Sequence, residues 1–251
     1  MRIAVDAMGG DYAPQQAVLG SVLAAKEEKI ASVLVGRSEE ISRELAQYED
    51  VPPDLITIKE AREVVEFNDQ PAIAVRKKRD SSIVVANQLV KAGEADAVIS
   101  AGSTGASMTA SLFVLGRIPG ISRPAIAIPL PTVKGVTVLL DAGANAENDP
   151  EDLVQFGVMG SIYASAVLGL AAPKVALLSI GEEETKGNKL VIDTHQLLKE
   201  SGLDFMGNIE GKDLLMGAAD VVVCDGFVGN IILKFAEGMA TAIFQKMKEA
   251  L

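Results

Sequence analysis

The sequence predicts an α/β fold: a mostly parallel sheet with helices on both faces, forming an α/β/α sandwich. Short β-branched runs alternate with helical patterns from one end of the chain to the other. Such alternation is typical of proteins built from right-handed strand–helix–strand units. Several runs, among them VTVLL, VALL and VVVC, are almost continuously apolar. Because a strand in a parallel sheet is covered on both faces, these runs favour parallel pairing.

The strand and helix signals can be placed in order along the chain. We predict strands at residues 3–5, 32–35, 55–58, 97–100, 125–128, 136–140, 174–179, 203–206 and 221–224. Apolar residues at helical spacing predict helices at 14–28, 39–47, 82–91, 151–168 and 190–200. No linker separates two compositions, so residues 1–251 are interpreted as one domain. The Pro-containing stretch 118–131 is where we expect the sheet to change direction.

Composition and charge exclude several classes of protein. Of the 251 residues, 49% are hydrophobic and 23% are charged, as in soluble globular proteins. The net charge of −11 leaves no basic surface for nucleic acid, so no nucleic-acid partner is expected. The single Cys fits a reducing cytoplasm. No apolar run reaches the roughly 18–20 residues of a membrane span, and the first residues do not form a signal peptide.

Five of the predicted strands lead into loops that combine Gly with polar residues. These loops cover residues 6–11, 100–105, 141–145, 179–188 and 225–230. Ligands of open parallel sheets bind at the carboxyl ends of the strands. There Gly lets the backbone approach a ligand, and helix N-termini favour anions. The alternative interpretation is that these residues only cap helices and form turns.

Known cofactor motifs are missing from the sequence. No GxGxxG follows the first strand, and neither GxxxxGK[ST] nor GxSxG occurs. One His and one Cys make a zinc site improbable. Two interpretations of the loop carboxylates stay open. Asp6, Asp141 and Asp225 would together hold Mg²⁺, or they would orient a substrate by hydrogen bonds with nearby Asn side chains. We favour the second and expect no metal.

The Gly-rich loops and their flanks form seven distinctive segments: MRIAVDAMGGDYAP, SAGSTGASM, LGRIPGISRPA, LLDAGAN, GEEETKGN, GNIEGKDLL and DVVVCDGFVGNIILK. These segments resemble the acyl-carrier-protein-dependent phosphate acyltransferase family of bacterial phospholipid synthesis. They occur in this order over nearly the whole chain. Tyr12 stands where the family usually has His, and Ser103 where it usually has Asn. Family members also continue beyond position 251 through a further helical region, which we expect this chain to lack.

The resemblance implies a fold similar to isopropylmalate dehydrogenases and phosphotransacetylases. It implies transfer of a fatty acyl group from acyl carrier protein to inorganic phosphate, giving acyl phosphate without a cofactor. It also implies a cytoplasmic homodimer, peripheral contact with the inner face of the cell membrane, and contact with a downstream membrane acyltransferase.

The implied reaction needs phosphate to be aimed, an oxyanion to be stabilised and a thiolate to be neutralised. The catalytic candidates are Lys186, Asn188, Asn145, Asn230 and Asp225. The substrate-binding and phosphate-binding candidates are Asp6, Gly9, Gly10, Asp11, Gly102, Ser103, Thr104, Gly105, Arg123, Asp141, Asn208 and Gly226. Lys186 offers a point charge on a Gly-flanked loop, and Arg123 offers a planar grip on phosphate. Distinct roles for the remaining residues stay open.

Three further features have a structural and a functional interpretation. Arg76, Lys77, Lys78 and Arg79 form the single basic run, either a solvated helix face or a docking patch for the acidic carrier protein. His195 is expected to have a surface or packing role in the middle of a helix, away from the Gly loops. Cys224 is expected to be a small buried apolar residue at a strand end.

Two rival functions are kept. One is another enzyme of the same fold, a metal-dependent dehydrogenase or an acetyl-CoA phosphotransacetylase. The other is a non-catalytic module that binds the carrier protein. Metal dependence would identify the first, and binding of acylated carrier protein without turnover would identify the second.

Overall fold

The structure, a computed structural model, describes residues 1–250 and consists of two compact units. Unit 1 is Met1–Ile118, and unit 2 begins at Pro119. The boundary falls at the start of the Pro-containing stretch that the sequence marks for a change of direction. The interpretation of residues 1–251 as a single domain stays a prediction.

Unit 1 is built on a four-stranded, fully parallel sheet. Its elements are β1 (Arg2–Asp6), α1 (Gln15–Glu27), β2 (Ala31–Gly36), α2 (Ser38–Leu45), β3 (Ile56–Glu60), α3 (Pro71–Lys77), α4 (Ser82–Lys91), β4 (Ala97–Ser100) and α5 (Thr104–Val114). The strand order is β3-β2-β1-β4. In the register of the pairs, Val5 lies opposite Leu34 on one side and Ile99 on the other.

Both faces of the unit 1 sheet are covered, because successive strand residues point to opposite sides. Val33 on one face packs with Leu89 of α4. Leu34, the next residue, is fully buried on the other face with Val22 of α1 and Ile41 of α2. This alternation explains why β2 is apolar at every position from Val33 to Val35.

Unit 2 contains a five-stranded mixed sheet. Its elements are β5 (Ile128–Thr132), β6 (Gly135–Leu140), α6 (Pro150–Leu168), β7 (Val175–Leu178), α7 (Lys189–Glu200), β8 (Phe205–Ile209), α8 (Gly211–Leu214), β9 (Val221–Val223) and α9 (Gly226–Ala250). The strand order is β5-β6-β9-β7-β8, and only the β5–β6 pair is antiparallel. Leu140 packs with Phe156 of α6 on one face. Leu139 packs with Leu214 of α8 and Ile232 of α9 on the other.

The structure shifts one predicted strand and adds helices. The strand expected at 125–128 is displaced to Ile128–Thr132, a segment that contains Pro129 and Pro131. Pro is tolerated there because β5 is an edge strand with one unpaired side. The helices α3, α5, α8 and α9 are not among the helices predicted from the sequence.

Helix α9 differs most from expectation. Within residues 1–250 it is the one helix long and apolar enough to cross a membrane by length and composition, and 6% of its most apolar 18-residue window is buried. The sequence shows no uninterrupted apolar run here because Lys234 and Glu237 divide the helix.

Candidate active site

The strand order brings the five Gly-rich loops into two groups. In unit 1, β1 and β4 are neighbours, so loops 6–11 and 100–105 leave the same edge side by side. In unit 2, β6, β9 and β7 are consecutive, so loops 141–145, 225–230 and 179–188 leave the same edge. Both groups lie at the carboxyl ends of parallel strands, as the sequence predicts.

A buried carboxylate anchors the unit 1 group. Asp6 is 5% exposed, and its Oδ2 accepts a 2.7 Å hydrogen bond from Ser100 Oγ. The Gly102 N–H donates to the same hydroxyl oxygen at 3.1 Å. Asp6 Oδ1 is buried and has no partner among the described protein atoms. It borders a cavity of about 10 Å³, the volume that one water needs.

Glycine is required where the two unit 1 loops meet. A Cβ on Gly9 would lie 2.5 Å from Asp6 Oδ2 and 3.0 Å from the Gly102 nitrogen. Gly10 has a φ of +103°, which L side chains rarely adopt. Turn and packing geometry therefore explains these two glycines, and phosphate binding by them stays a prediction.

The other unit 1 candidates lie around the start of α5. Ser103 caps the helix, with its Oγ accepting from the Ala106 N–H at 3.4 Å. Asp11 and Thr104 are exposed, and Gly105 faces Pro71. These residues therefore lie at a helix N-terminus, which favours anions.

In unit 2, Asp141 organises the loop that follows β6. Its side chain is fully buried. One oxygen accepts from the N–H groups of Ile126, Gly143 and Ala144 at 3.0, 3.2 and 2.9 Å. The other accepts from the backbone and side-chain nitrogens of Asn145 at 2.8 and 2.9 Å. With five donors already bound, this carboxylate orders its own loop, and a substrate-binding role for it stays a prediction.

Asn145 is likewise used internally rather than as a donor to a substrate carbonyl. Its Nδ2 donates to the Pro124 carbonyl at 2.7 Å as well as to Asp141. Its own carbonyl accepts from Gly226 N–H at 2.9 Å, joining loops 141–145 and 225–230. Asn145 therefore fixes the backbone beside Arg123, which makes it a positioning residue.

Arg123 is held by a buried carboxylate that the sequence analysis did not single out. Its Nε lies 3.2 Å from Asp152 Oδ2, and the Asp152 side chain is only 5% exposed. Ser122 Oγ donates to the other Asp152 oxygen, and the Asp149 N–H donates to Oδ2 at 3.1 Å. Burial acts to raise the pKa of Asp152, but these hydrogen bonds and the Arg123 charge outweigh it and hold the pKa below its ordinary value.

Lys186 and Asn188 lie on the loop that follows β7. The stem of Lys186 lies against Gly181, where a Cβ would be 3.0 Å from Lys186 Cγ. The Lys186 carbonyl accepts from Ser179 Oγ at 3.1 Å, and its side chain is exposed and forms no ion pair within residues 1–250. Asn188 caps α7 through Oδ1, which accepts from Val191 N–H at 2.9 Å. Its Nδ2 remains available as a donor.

The third loop of this edge supplies Asp225 and Asn230. Asp225 Oδ1 accepts from Val228 N–H at 2.9 Å in the first turn of α9. Asn230 is exposed and lies against Gly143, whose Cβ would be 3.3 Å from Asn230 Cβ. Its amide therefore stands beside the loop that Asp141 organises.

Asn208 and His195 form a buried pair. His195 Nδ1 lies 2.8 Å from Asn208 Oδ1, and the Asn208 Nδ2 donates to the Glu183 carbonyl at 2.9 Å. The His195 ring also packs edge-to-face on Phe205 at 5.1 Å. Asn208 therefore supports loop 179–188 through the Glu183 carbonyl, and phosphate binding by Asn208 stays a prediction. His195 packs within α7 as expected, but it is linked to a Gly-rich loop through Asn208.

The basic run is only partly free. Lys78 Nζ lies 2.5 Å from Asp69 Oδ2 and donates to the Val64 carbonyl at 2.8 Å, and the Lys78 hydrogen bond lowers the pKa of Asp69. The guanidinium of Arg76 lies 4.8 Å from the centre of the Phe113 ring.

The two remaining cations of the run are exposed. Lys77 and Arg79 form no ion pair within residues 1–250. Any electrostatic docking by this run therefore falls mainly to these two residues.

Cys224 packs as predicted and is not a nucleophile. It is 3% exposed, and burial, followed by the charges of Asp225 and Asp141, raises the pKa of its thiol well above the usual range. A thiol held protonated in this way is inert at neutral pH.

Sequence similarity places the chain in a family. A family model described as "Fatty acid synthesis protein" matches residues 1–251. The phosphate acyltransferase of Pelotomaculum thermopropionicum is 55% identical over 249 residues, which are 99% of this chain and 72% of that protein. That of Desulforamulus reducens is 56% identical over 251 residues, covering 100% and 75%. That of Desulfitobacterium hafniense strain Y51 is 58% identical over 250 residues, covering 99% and 74%.

Solved structures confirm the predicted α/β fold class. The EutD phosphotransacetylase from Staphylococcus aureus superposes with a TM-score of 0.68 at 19% identity, covering 96% of this chain and 82% of that one. A branched-chain phosphotransacylase from Enterococcus faecalis V583 superposes with a TM-score of 0.56 at 18% identity, covering 92% and 83%. At these identities the likeness concerns the fold alone. The match along the whole chain and the identities above 50% show that this chain belongs to the bacterial phosphate acyltransferase family of fatty acid synthesis.

Proposed function

We propose that the chain transfers a fatty acyl group from acyl carrier protein to inorganic phosphate, releasing acyl phosphate and the free carrier thiol. As a member of its family, the chain is an enzyme that transfers an acyl group to phosphate. The carrier protein as donor is the proposed part. It is supported by the exposed cations Lys77 and Arg79 on a chain of net charge −11, which are suited to an acidic partner.

The chemistry is a single acyl substitution. A phosphate oxygen attacks the thioester carbonyl carbon and forms a C–O bond, the C–S bond breaks, and the departing thiolate takes up a proton. The developing oxyanion and the thiolate both gain from fixed donors or cations. In this reaction the protein positions the reactants and stabilises the developing charges, and it does not need to supply a nucleophile.

The state of His195 and Cys224 is the observation that carries direct transfer. A covalent acyl-enzyme requires an activated nucleophile with a base beside it. The single His is 3% exposed and bonded to Asn208, and the single Cys is buried with a raised thiol pKa. Neither is placed to form or assist an acyl-enzyme, which supports attack by phosphate itself.

We assign the unit 2 edge the following roles. Arg123, fixed through Nε by Asp152, grips phosphate with its terminal nitrogens. Lys186 supplies the free positive charge for the oxyanion or thiolate, and Asn188 Nδ2 supplies a neutral donor. Asn230 is a second neutral donor at the same edge.

Asp225 and the unit 1 edge complete the proposal. Asp225 positions the start of α9 through its bond to Val228. The N–H groups of residues 103–105 at the start of α5 are a separate candidate anion site in unit 1.

The location and assembly that accompany this function are also proposals. We infer a cytoplasmic homodimer with peripheral membrane contact. The support is the row of exposed apolar side chains on α9, which comprises Phe227, Ile231, Phe235, Met239, Ile243 and Met247. Such a row favours a further covering surface.

A donor comparison tests the proposed function. The purified chain is incubated with palmitoyl-acyl carrier protein or acetyl-CoA, with and without phosphate, and thiol release is followed in the presence of EDTA. We expect phosphate-dependent release from the acylated carrier protein that persists in EDTA. Preference for acetyl-CoA would favour a phosphotransacetylase. Loss of turnover in EDTA that Mg²⁺ restores would contradict the metal-free interpretation.

A further inference from the structure

An apolar cavity of about 570 Å³ lies at the unit 2 edge, and the proposed reaction steps assign no ligand to it. Its polar rim is formed by Ser179, Asn188 and Asp225, which belong to the loops after β7 and β9. This volume falls within the range of about 300–1,000 Å³ that is usual for ligand sites.

Apolar side chains from four segments of unit 2 form the walls of this cavity. Leu178 lies at the end of β7, Ile180 on the following loop, Val191 in the first turn of α7, and Val228 and Ile232 on successive turns of α9. Apolar walls with a few polar groups at one end match a ligand that has a long apolar tail and a polar head.

The exposure of Ile180 also favours a ligand with an apolar tail at this cavity. It is 80% exposed although it directly follows a buried strand and lies between Ser179 and Gly181. An exposed large apolar side chain beside an apolar cavity favours a covering ligand. Residues 186 and 188, to which we assign the carbonyl chemistry, lie on the same loop as this side chain.

We propose that this cavity binds the acyl chain of the substrate, with the thioester carbonyl at the rim near Asn188. The inference rests on the proposed function, because that function supplies the acyl chain. Each methylene that leaves water strengthens binding by about fourfold. The cavity therefore makes long acyl chains better substrates than short ones, and Ile180, Val191 and Val228 set that preference.

Filling the cavity tests the proposal by activity. Val191→Phe should lower kcat/KM for palmitoyl-acyl carrier protein by about tenfold or more and leave octanoyl-acyl carrier protein within about twofold. Ile180→Asp should act in the same direction, and it keeps the fold because the side chain is exposed. Ile162→Phe, at an exposed position on α6 outside the cavity walls, is the matched control and should change neither donor. Equal losses for the two donors, or no loss in either variant, would overturn the proposal.

Fluorescence tests the proposal without turnover. Because the chain has no Trp, Ile180→Trp introduces a single reporter at the cavity mouth. Palmitoyl-acyl carrier protein should shift its emission to shorter wavelength more than octanoyl-acyl carrier protein does, while Ile162→Trp should show no shift. An emission unchanged by the palmitoyl donor would overturn the acyl site. If Ile180→Trp shows the shift while the wild-type protein forms no acyl phosphate, the proposed function is refuted and the acyl site stands.

Discussion

Arg123 Nε and Asp152 Oδ2 are 3.2 Å apart, and the carboxylate of this pair is buried while the guanidinium is 47% exposed. The buried partner also accepts from Ser122 Oγ and from the Asp149 backbone. Asp152 therefore fixes one edge of the Arg123 guanidinium and leaves the terminal nitrogens for a ligand. The pair converts a flexible surface arginine into an oriented one.

Asp152→Asn should raise KM for phosphate by about tenfold or more and change KM for the acyl donor little. The change removes the charge that orients Arg123, and a hydrogen bond to a charged group is worth about 1.5–3 kcal/mol. Steady-state kinetics with phosphate as the varied substrate measure the effect. Glu151→Gln, at the exposed neighbouring position, is the control and should match wild type. An unchanged phosphate KM would show that Arg123 does not bind phosphate.

The same carboxylate predicts a pH dependence of stability. The folded-state pKa of Asp152 is lower than its unfolded value of about 4. Its contribution to the free energy of unfolding is therefore full above about pH 4 and is lost as the pH falls through the folded pKa. Urea unfolding between pH 3 and 7 measures this contribution. The free energy of unfolding of wild type should exceed that of Asp152→Asn at neutral pH, and this difference should narrow below about pH 4. A difference in unfolding free energy that stays constant across this pH range would contradict a lowered pKa for Asp152 in the folded state.

Lys186→Ala should lower kcat/KM by about 10²-fold or more, the scale of losing one transition-state charge stabiliser. Lys174→Ala is the matched control, since Lys174 is exposed immediately before β7, at the opposite end of that strand from Lys186. It should stay within about twofold of wild type. Similar effects in the two variants would remove Lys186 from the site.

Two glycines on α9 predict opposite outcomes. A Cβ on Gly229 would lie 1.9 Å from the Asp141 carbonyl oxygen, so Gly229→Ala must displace loop 141–145. We expect a loss of stability of about 1–3 kcal/mol and a loss of activity. Gly238 has no neighbour within 4 Å of its Cβ position, so Gly238→Ala should stabilise the helix by about 0.5–1 kcal/mol. Denaturant unfolding of both variants measures this, and equal midpoints would show that α9 does not pack on the loop as described.

The basic run gives a salt-dependent prediction. Replacing Lys77 and Arg79 with Glu should raise KM for the acylated carrier protein and leave KM for phosphate unchanged. The effect should fade with salt, because screening shortens from about 10 Å at 0.1 M to about 3 Å at 1 M. Lys78→Glu is a different experiment: it breaks the pair with Asp69 and should lower the melting temperature. A salt-independent KM for the double variant would identify the run as a solvated face.

Much of the fold follows from local pattern. The strand at Ala97–Ser100 and the helix at Ser82–Lys91 have the predicted bounds, because an apolar pattern marks each element and Gly102 and Gly93 lie just beyond their ends. Helix α9 was missed because DGFVGN is typical of a turn. In the structure the helix begins at Gly226, where a Cβ would lie 2.5 Å from the Asn145 carbonyl oxygen. Gly226 is needed because of this tertiary contact with Asn145, which no local sequence pattern indicates.

The site was predicted less completely than the fold. The polar loops fall at the sheet edges as expected, because strand direction alone determines this. Which side chains face inward depends on partners far along the chain. Asp141 is buried and accepts hydrogen bonds from five N–H groups. Asp152 forms a salt bridge with Arg123, which lies 29 positions earlier in the sequence. The nearest sequence signal for Asp152 was its place in the first turn of a helix that begins with Pro, which only indicated a capping role.

The central claim is that the acyl group passes directly to inorganic phosphate. Incubation with palmitoyl-acyl carrier protein and phosphate, removal of the carrier protein by ultrafiltration, and addition of hydroxylamine to the filtrate tests it. Acyl phosphate in the filtrate is captured as the hydroxamate, while free fatty acid is not and the thioester has been removed. We predict one equivalent of hydroxamate for each carrier thiol released, with no release when phosphate is omitted. Thiol release without hydroxamate, at a rate independent of phosphate, would show hydrolysis instead of transfer and would contradict the account.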